Sequence, residues 1–224
     1  MTEKTPPRRG RRQLFSITQI AEVALSIADR EGIDAVTMQR VASELGTAPM
    51  TLYGYVASKD ELLDAVLDFA VADAGRTPAT SDRADWRAEL RNLVRYGYRN
   101  LNRHPAIVEI RLRRPILRPE ALRFGERAMR ILLGAGMPPD EAAAAFRTIY
   151  TYLFGFAAVS PQRQEKQNRK AAAAAIADLD PERYPALREH RTVFSQAMSG
   201  RAAFDNGLEI LLDGIADRLN GPSR

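Results

Sequence analysis

Between Thr37 and Lys59 the chain reads TMQRVASELGTAPMTLYGYVASK. The stretch concentrates side chains suited to reading the edges of nucleic-acid bases. Arg40 can pair with guanine and Gln39 with adenine, and Met50 or Thr51 can meet a thymine methyl. Pro49 and Tyr55 complete the set that could reach base edges. Such readout needs a rigid element in the major groove, and the spacing supplies one. Thr37 can cap a short helix that places Met38, Val41, Ala42 and Leu45 on one face. Gly46 can take the left-handed conformation that stops it. Pro49 fits a first helical turn, and Met50 to Tyr55 continue as a second short helix. Two helices joined by a Gly-containing turn form a helix-turn-helix, whose second member enters the groove.

Other chemistry has little support. The chain has no Gly-rich phosphate loop, nucleophile elbow, HExxH pattern or Cys/His cluster. Asp85 with Glu89 fits a solvated helix face, so no enzyme and no cofactor or metal is expected. Zero cysteines exclude disulfides and thiolate ligands, and give no reason to place the chain outside the cytoplasm. No run of about eighteen uncharged apolar residues is present, so no membrane span is expected. The net charge of +5 weakly favours polyanionic partners. Residues 1–15 hold Lys4, Arg8, Arg9, Arg11 and Arg12 against Glu3, a net of +4. Such an arm is expected to be disordered, and either adds phosphate or minor-groove contacts or serves as a solubilising tail.

The run Ala48-Pro49-Met50-Thr51-Leu52-Tyr53-Gly54-Tyr55-Val56, followed by Ser58-Lys59-Asp60-Glu61-Leu62-Leu63, resembles the signature of the tetracycline-repressor (TetR) family of transcriptional regulators. Ala24, Ala28, Gly32, Val36-Thr37, Val41-Ala42 and Leu45-Gly46 agree with it. Phe204, Gly207-Leu208, Leu211-Leu212 and Gly214-Ile215 resemble the closing helix of the tetracycline-repressor-like branch. By that resemblance Thr37, Tyr53 and Lys59 fall at phosphate-contacting positions. Gly54 departs from the bulkier residue often found there, which shifts discrimination onto Tyr55 and Thr51.

The rest of the chain reads as all-α: a three-helix DNA-binding domain followed by a larger helical domain. Ser16 or Thr18 opens the first helix, closed by Gly32, and a small core of Ile20, Ala24, Val41, Leu45, Leu52 and Val56 braces the reading helix. Ser58 and Glu61 have capping-box spacing for a fourth helix running to about Gly75. Residues 16–75 thus form the first unit, Arg76 to Asp82 mark the boundary, and 84–220 form the second. There, helices are expected from Ala84 to His104, over 105–114, over Arg118–Leu133, over Glu141–Ser160, over the alanine-rich 171–179, over Pro181–Phe194 and over Ala202–Leu219. Residues 161–170 read as a polar loop.

The helices at 141–160 and 202–219 are apolar around more of their circumference than a monomer surface tolerates. The resemblance implies that they pair with their copies in a homodimeric four-helix bundle. A dimer would set two reading helices roughly 34–36 Å apart, or a small multiple, on a near-palindromic operator. The resemblance further implies a small-molecule pocket among the C-terminal helices, with Trp86, Tyr96, His104, Arg111, Met129, Tyr150 and Phe154 as candidate lining residues. For most of these an ordinary aromatic core role competes, and for His104 a capping or surface role. Residues 103–130 carry eight arginines against three glutamates. That excess reads as a solvated face or as a site for an acidic or acyl-linked effector. The expected function is a ligand-responsive regulator, a repressor in preference to an activator. A helical dimeric interaction protein without an effector is the competing class.

Overall fold

The computed structural model describes residues 14–72, 86–113, 119–159 and 165–221, and all statements below concern these. The expected basic arm, apart from Leu14 and Phe15, and the expected boundary at Arg76–Asp82 lie outside them.

Twelve α-helices are described, with no strand among them. The N-terminal unit comprises α1 (Ile17–Glu31), a 3-10 turn at Ile33–Ala35, α2 (Met38–Glu44), α3 (Pro49–Leu52) and α4 (Lys59–Ala72). The remainder comprises α5 (Trp86–Arg103), α6 (Pro105–Arg113), α7 (Pro119–Gly134), α8 (Pro139–Val159), α9 (Glu165–Ala177), α10 (Pro185–Glu189), α11 (Arg191–Ala197) and α12 (Arg201–Leu219).

The N-terminal elements form where their caps dictate. Ser16 accepts from the Gln19 amide while the Gln19 side chain accepts from the Ser16 N–H, a reciprocal cap at the start of α1. Thr37 Oγ1 accepts from the Arg40 N–H to start α2, and Gly46, at φ 65°, turns the chain out of it. Ser58 Oγ accepts from the Glu61 N–H, and Glu61 reaches back to the Ala57 N–H rather than to that of Ser58. α3 is shorter than the spacing suggested. Residues 53–55 form turns, because the Tyr55 and Val56 amides both bond to the Leu52 carbonyl and so close the last turn tightly. This four-residue helix is anchored by the fully buried Leu52. Truncating that side chain to alanine would cost about 2–5 kcal/mol.

α4 packs along α1 and also against α6 and α7, so it belongs to both units. The core is accordingly continuous, from Ile20, Ala24, Ile27, Val41, Leu52 and Val56 through Leu62 and Val66 to Leu93, Ile107, Leu132, Ile149 and Phe204. α5 and α12 are joined by a ladder of ion pairs. Arg91 grips Glu209 through two nitrogens, Arg87 reaches Glu209 and Asp213, and Arg95 meets Asp205 at 2.8 Å.

Two expectations are corrected in the C-terminal part. The expected loop over 161–170 is helical from Glu165, because polar residues with good helical propensity run straight into the alanine stretch and α9 absorbs both. Glu165 and Arg169, one turn apart, pair at 2.7 Å, and Arg169 also donates to the Ser199 carbonyl. The single helix expected over 181–194 is instead two, α10 and α11, broken at His190.

α8, with mean hydropathy 1.3 over its most apolar stretch, is by length and composition the one described helix that could cross a bilayer. Its Ala142, Ile149 and Leu153 are buried while Ala143, Ala144, Thr148, Thr151 and Gly155 are exposed, so only one side is used within the chain.

Candidate nucleic-acid interface and ligand cavity

The nine expected DNA-contacting residues do not share one environment. Met50 on α3 and Tyr53 directly after it are 78% and 49% exposed, although both are large and apolar or aromatic. Burying neither within the chain leaves both available to a partner. Gln39 is exposed, and Pro49 and Thr51 are half-buried on the same short helix. Thr37 caps the start of α2 through its hydroxyl oxygen. Lys59 Nζ lies 3.4 Å from the Asp34 carbonyl, a long contact that a phosphate could replace.

Arg40 and Tyr55 differ. The Arg40 guanidinium sits between Glu31 at 2.9 Å and Glu44 at 2.5 Å, and both carboxylates are held below the ordinary range, chiefly by that hydrogen bond. Reaching a guanine would require breaking both pairs, so Arg40 ties α2 to the end of α1. The Tyr55 hydroxyl accepts from the Phe15 N–H at 3.2 Å, and its ring packs on the core. It fastens the turn after α3 to the residue preceding α1. Base contact from Arg40 would therefore cost two ion pairs, whereas the Tyr55 hydroxyl, an acceptor in its contact with Phe15, still has an O–H to donate.

A cavity of about 380 Å³ opens between α6, α7 and α8, within the size range of small-molecule sites. Arg111, Met129 and Tyr150, three of the seven expected lining residues, meet there. Arg111 Nε donates to the Tyr150 hydroxyl at 2.7 Å, and its guanidinium lies 5.6 Å from the Tyr150 ring centroid. Leu122, Phe124, Gly125, Glu126, Phe146 and Arg147 complete the lining and were not expected there. The signal for Phe146 was present in its spacing, since Phe146, Tyr150 and Phe154 recur every four residues and form a continuous ladder, at 5.8 Å and 4.6 Å between centroids. Phe154 joins that ladder one turn beyond the cavity lining. Gly125 lets the rings close: a Cβ there would lie 3.1 Å from the tip of Phe146.

Trp86 and Tyr96 pack against the core and do not line the cavity. His104 does not line this cavity and is not a free surface group. Its Nδ1 lies 2.7 Å from Asp29 Oδ2 on α1, and Asp29 Oδ1 accepts from the Ala106 N–H at 3.2 Å. A carboxylate of the N-terminal unit thus caps α6 of the C-terminal unit and complements its helix dipole. At the other end of α6, Arg113 reaches Asp34 at 3.3 Å. α6 is therefore fixed to the N-terminal unit at both ends while its Arg111 faces the cavity. Asp29 carried no sequence signal, being one more acidic residue on an amphipathic helix.

Two family models match the chain in succession. Residues 20–66 match the model for bacterial regulatory proteins of the tetR family, and residues 77–219 match that for the tetracyclin repressor-like C-terminal domain. The HTH-type transcriptional repressor DrrR1 of Streptomyces coeruleorubidus is 36% identical over 73% of this chain. The chain spans 60% of that repressor's own length. An HTH-type transcriptional repressor of Mycobacterium tuberculosis is 28% identical over 94% of this chain and 85% of its own length. Among solved structures, the TetR family protein ActR of Streptomyces coelicolor in complex with (S)-DNPA has a TM-score of 0.76 at 25% identity, covering 91% of this chain and 98% of ActR. With a helix-turn-helix head followed by a helical body that borders a cavity, the chain belongs to the TetR family of bacterial regulatory proteins.

Proposed function

We propose that the chain acts in the cytoplasm as a homodimeric repressor that occupies a near-palindromic operator and is released by a small molecule entering the α6–α8 cavity. The observation that carries this is the placement of α6, which lines the cavity through Arg111 and is pinned to the head through Asp29 and Asp34. A ligand that shifts α6 moves the head, and with two heads the spacing fitted to the DNA pitch is lost. α4, packed on α1, α6 and α7, carries the same displacement. The kinship with named repressors supports repression over activation, and ActR's bound (S)-DNPA supports a small-molecule effector.

In the proposed complex Gln39, Pro49, Met50 and Thr51 face bases, while Thr37, Tyr53 and Lys59 hold phosphates. Phosphate contacts set register and much of the affinity, and base contacts set sequence choice. The dimer forms through the outer faces of α8 and α12. Ile210 is 72% exposed there and lines, with Ala144, Thr148, Leu211 and Gly214 among others, a groove of about 240 Å³. The small residues permit close approach of a second copy, and the apolar ones supply the burial.

The test pairs light scattering with selection of binding sites from random duplexes. The expected results are a mass twice the 24.9 kDa of one chain and an enriched two-fold symmetric sequence bound with steep salt dependence. A monomer indifferent to DNA at low salt would overturn the proposal.

A further inference from the structure

We propose that residues 8–12, Arg-Arg-Gly-Arg-Arg, enter the minor groove of DNA beside the major groove read by α3 and favour A·T pairs there, with Tyr55 fixing where that segment leaves the head. This rests on the reading of the chain as an operator-binding dimer.

Charge makes the first half of the case. Residues 14–72, the described head, hold three basic residues, Arg30, Arg40 and Lys59, against nine acidic ones. Arg30 and Arg40 are themselves engaged by Glu31 and Glu44. A head of this sign is repelled by phosphates, whose neutralisation by Lys and Arg drives association with a duplex. Of the chain's net charge of +5, +4 lies in residues 1–15. The cations that offset the head's acidity therefore sit in the segment joined directly to the start of α1.

Position makes the second half. The Phe15 N–H donates to the Tyr55 hydroxyl at 3.2 Å, so the chain enters α1 beside the turn that closes α3. Tyr53, 49% exposed, comes two residues before Tyr55, and Lys59 four after it, which sets this entry point among the residues assigned to phosphates. From Phe15 back to Gly10 an extended chain spans about 17 Å, and back to Arg8 about 24 Å. Half a turn of DNA, about 17 Å, separates a major groove from the next minor groove, so that groove is within reach of Arg9, Gly10 and Arg11. Arginine is drawn to narrow A·T minor grooves by their enhanced negative potential. Glycine, without a Cβ, lets the backbone lie close to the groove floor. A minor-groove arm beside a major-groove helix extends the footprint without a second domain.

The test uses the full-length protein and the duplex enriched by binding-site selection, with tracts of A·T, G·C or inosine·C pairs placed beside the half-sites, at the outer flanks and at the centre in turn. Inosine lacks the guanine N2 amino group, so an inosine·C pair shows the minor groove of A·T and the major groove of G·C. At one of the two places, A·T and inosine·C tracts are expected to bind about ten-fold more tightly than G·C. Replacing both arginines, Arg9→Ala with Arg11→Ala, should abolish that preference and lower the slope of log K against log salt by about 3.6 for the dimer. Tyr55→Phe should narrow the preference, and a ratio left unchanged by it would overturn the anchoring role. Equal binding of A·T and G·C tracts at both places, inosine·C behaving as G·C, or a preference that survives loss of both arginines would overturn the inference alone. Failure to enrich any duplex would sink the operator reading, and this inference with it.

Discussion

Replacing Asp29 with alanine removes the one carboxylate that reaches from the head into the body at the start of α6. Two interactions are lost together. The Ala106 N–H, capped at 3.2 Å, becomes one of the unsatisfied donors of a helix start, at a cost of about 1 kcal/mol. The His104 contact at 2.7 Å, with Asp29 only 14% exposed, is a hydrogen bond to a charged acceptor worth about 1.5–3 kcal/mol. Together the expected loss is about 2–4 kcal/mol, a large part of a typical domain's stability. Asp29→Asn retains an oxygen for Ala106 and should cost about half as much. Urea unfolding at fixed protein concentration measures this, since the proposed self-association would add to apparent stability. Operator affinity should weaken in Asp29→Ala in step with the loosened head. An unfolding free energy within about 0.5 kcal/mol of the parent, the range of an ordinary surface change, would refute the claim that this residue joins the two units.

Glu209, gripped first by Arg91 and then by Arg87, has its carboxyl lowered to about 2. Because the folded value lies below the unfolded one, its contribution is complete above about pH 4.5 and is lost as pH falls towards 2. Discounted for its 36% exposure, that contribution is about 1–2 kcal/mol. Glu209→Gln should therefore destabilise at pH 7 and show a smaller further loss on acidification to pH 3, measured by denaturant midpoints. Lys59→Ala removes one phosphate-reaching cation per subunit, and the slope of log K against log salt should fall by about 1.8 for the dimer. Arg40→Ala should leave sequence preference unchanged in a binding-site selection, since its guanidinium is bound to Glu31 and Glu44. Ile210→Glu places a charge on an already exposed apolar position, so light scattering should show monomers with unchanged helical content.

The reading head was legible because its determinants are local. Thr37, Gly46, Pro49 and Ser58 each set a helix end within four residues of themselves, and Met38, Val41 and Ala42 recur at helical spacing along α2. The exceptions have physical causes. The end of α3 was overestimated because a single turn closed on the Leu52 carbonyl leaves no mark in side-chain periodicity. The polar run before the alanine stretch read as a loop because polarity and helical propensity are different properties.

What the amino-acid order determined alone was the helical class, the head's capping scheme and the presence of a reading element, since these follow from contacts between residues a few positions apart. Tertiary packing decided which candidates met. It drew Arg40 to Glu31, nine residues away, His104 to Asp29, seventy-five away, and Arg111 to Tyr150, thirty-nine away. Arginine, histidine and tyrosine can each serve in a core, on a surface or at a site. Only the partner brought alongside by the fold selects the role, because hydrogen bonds and ion pairs act over a few ångströms whatever the separation along the chain.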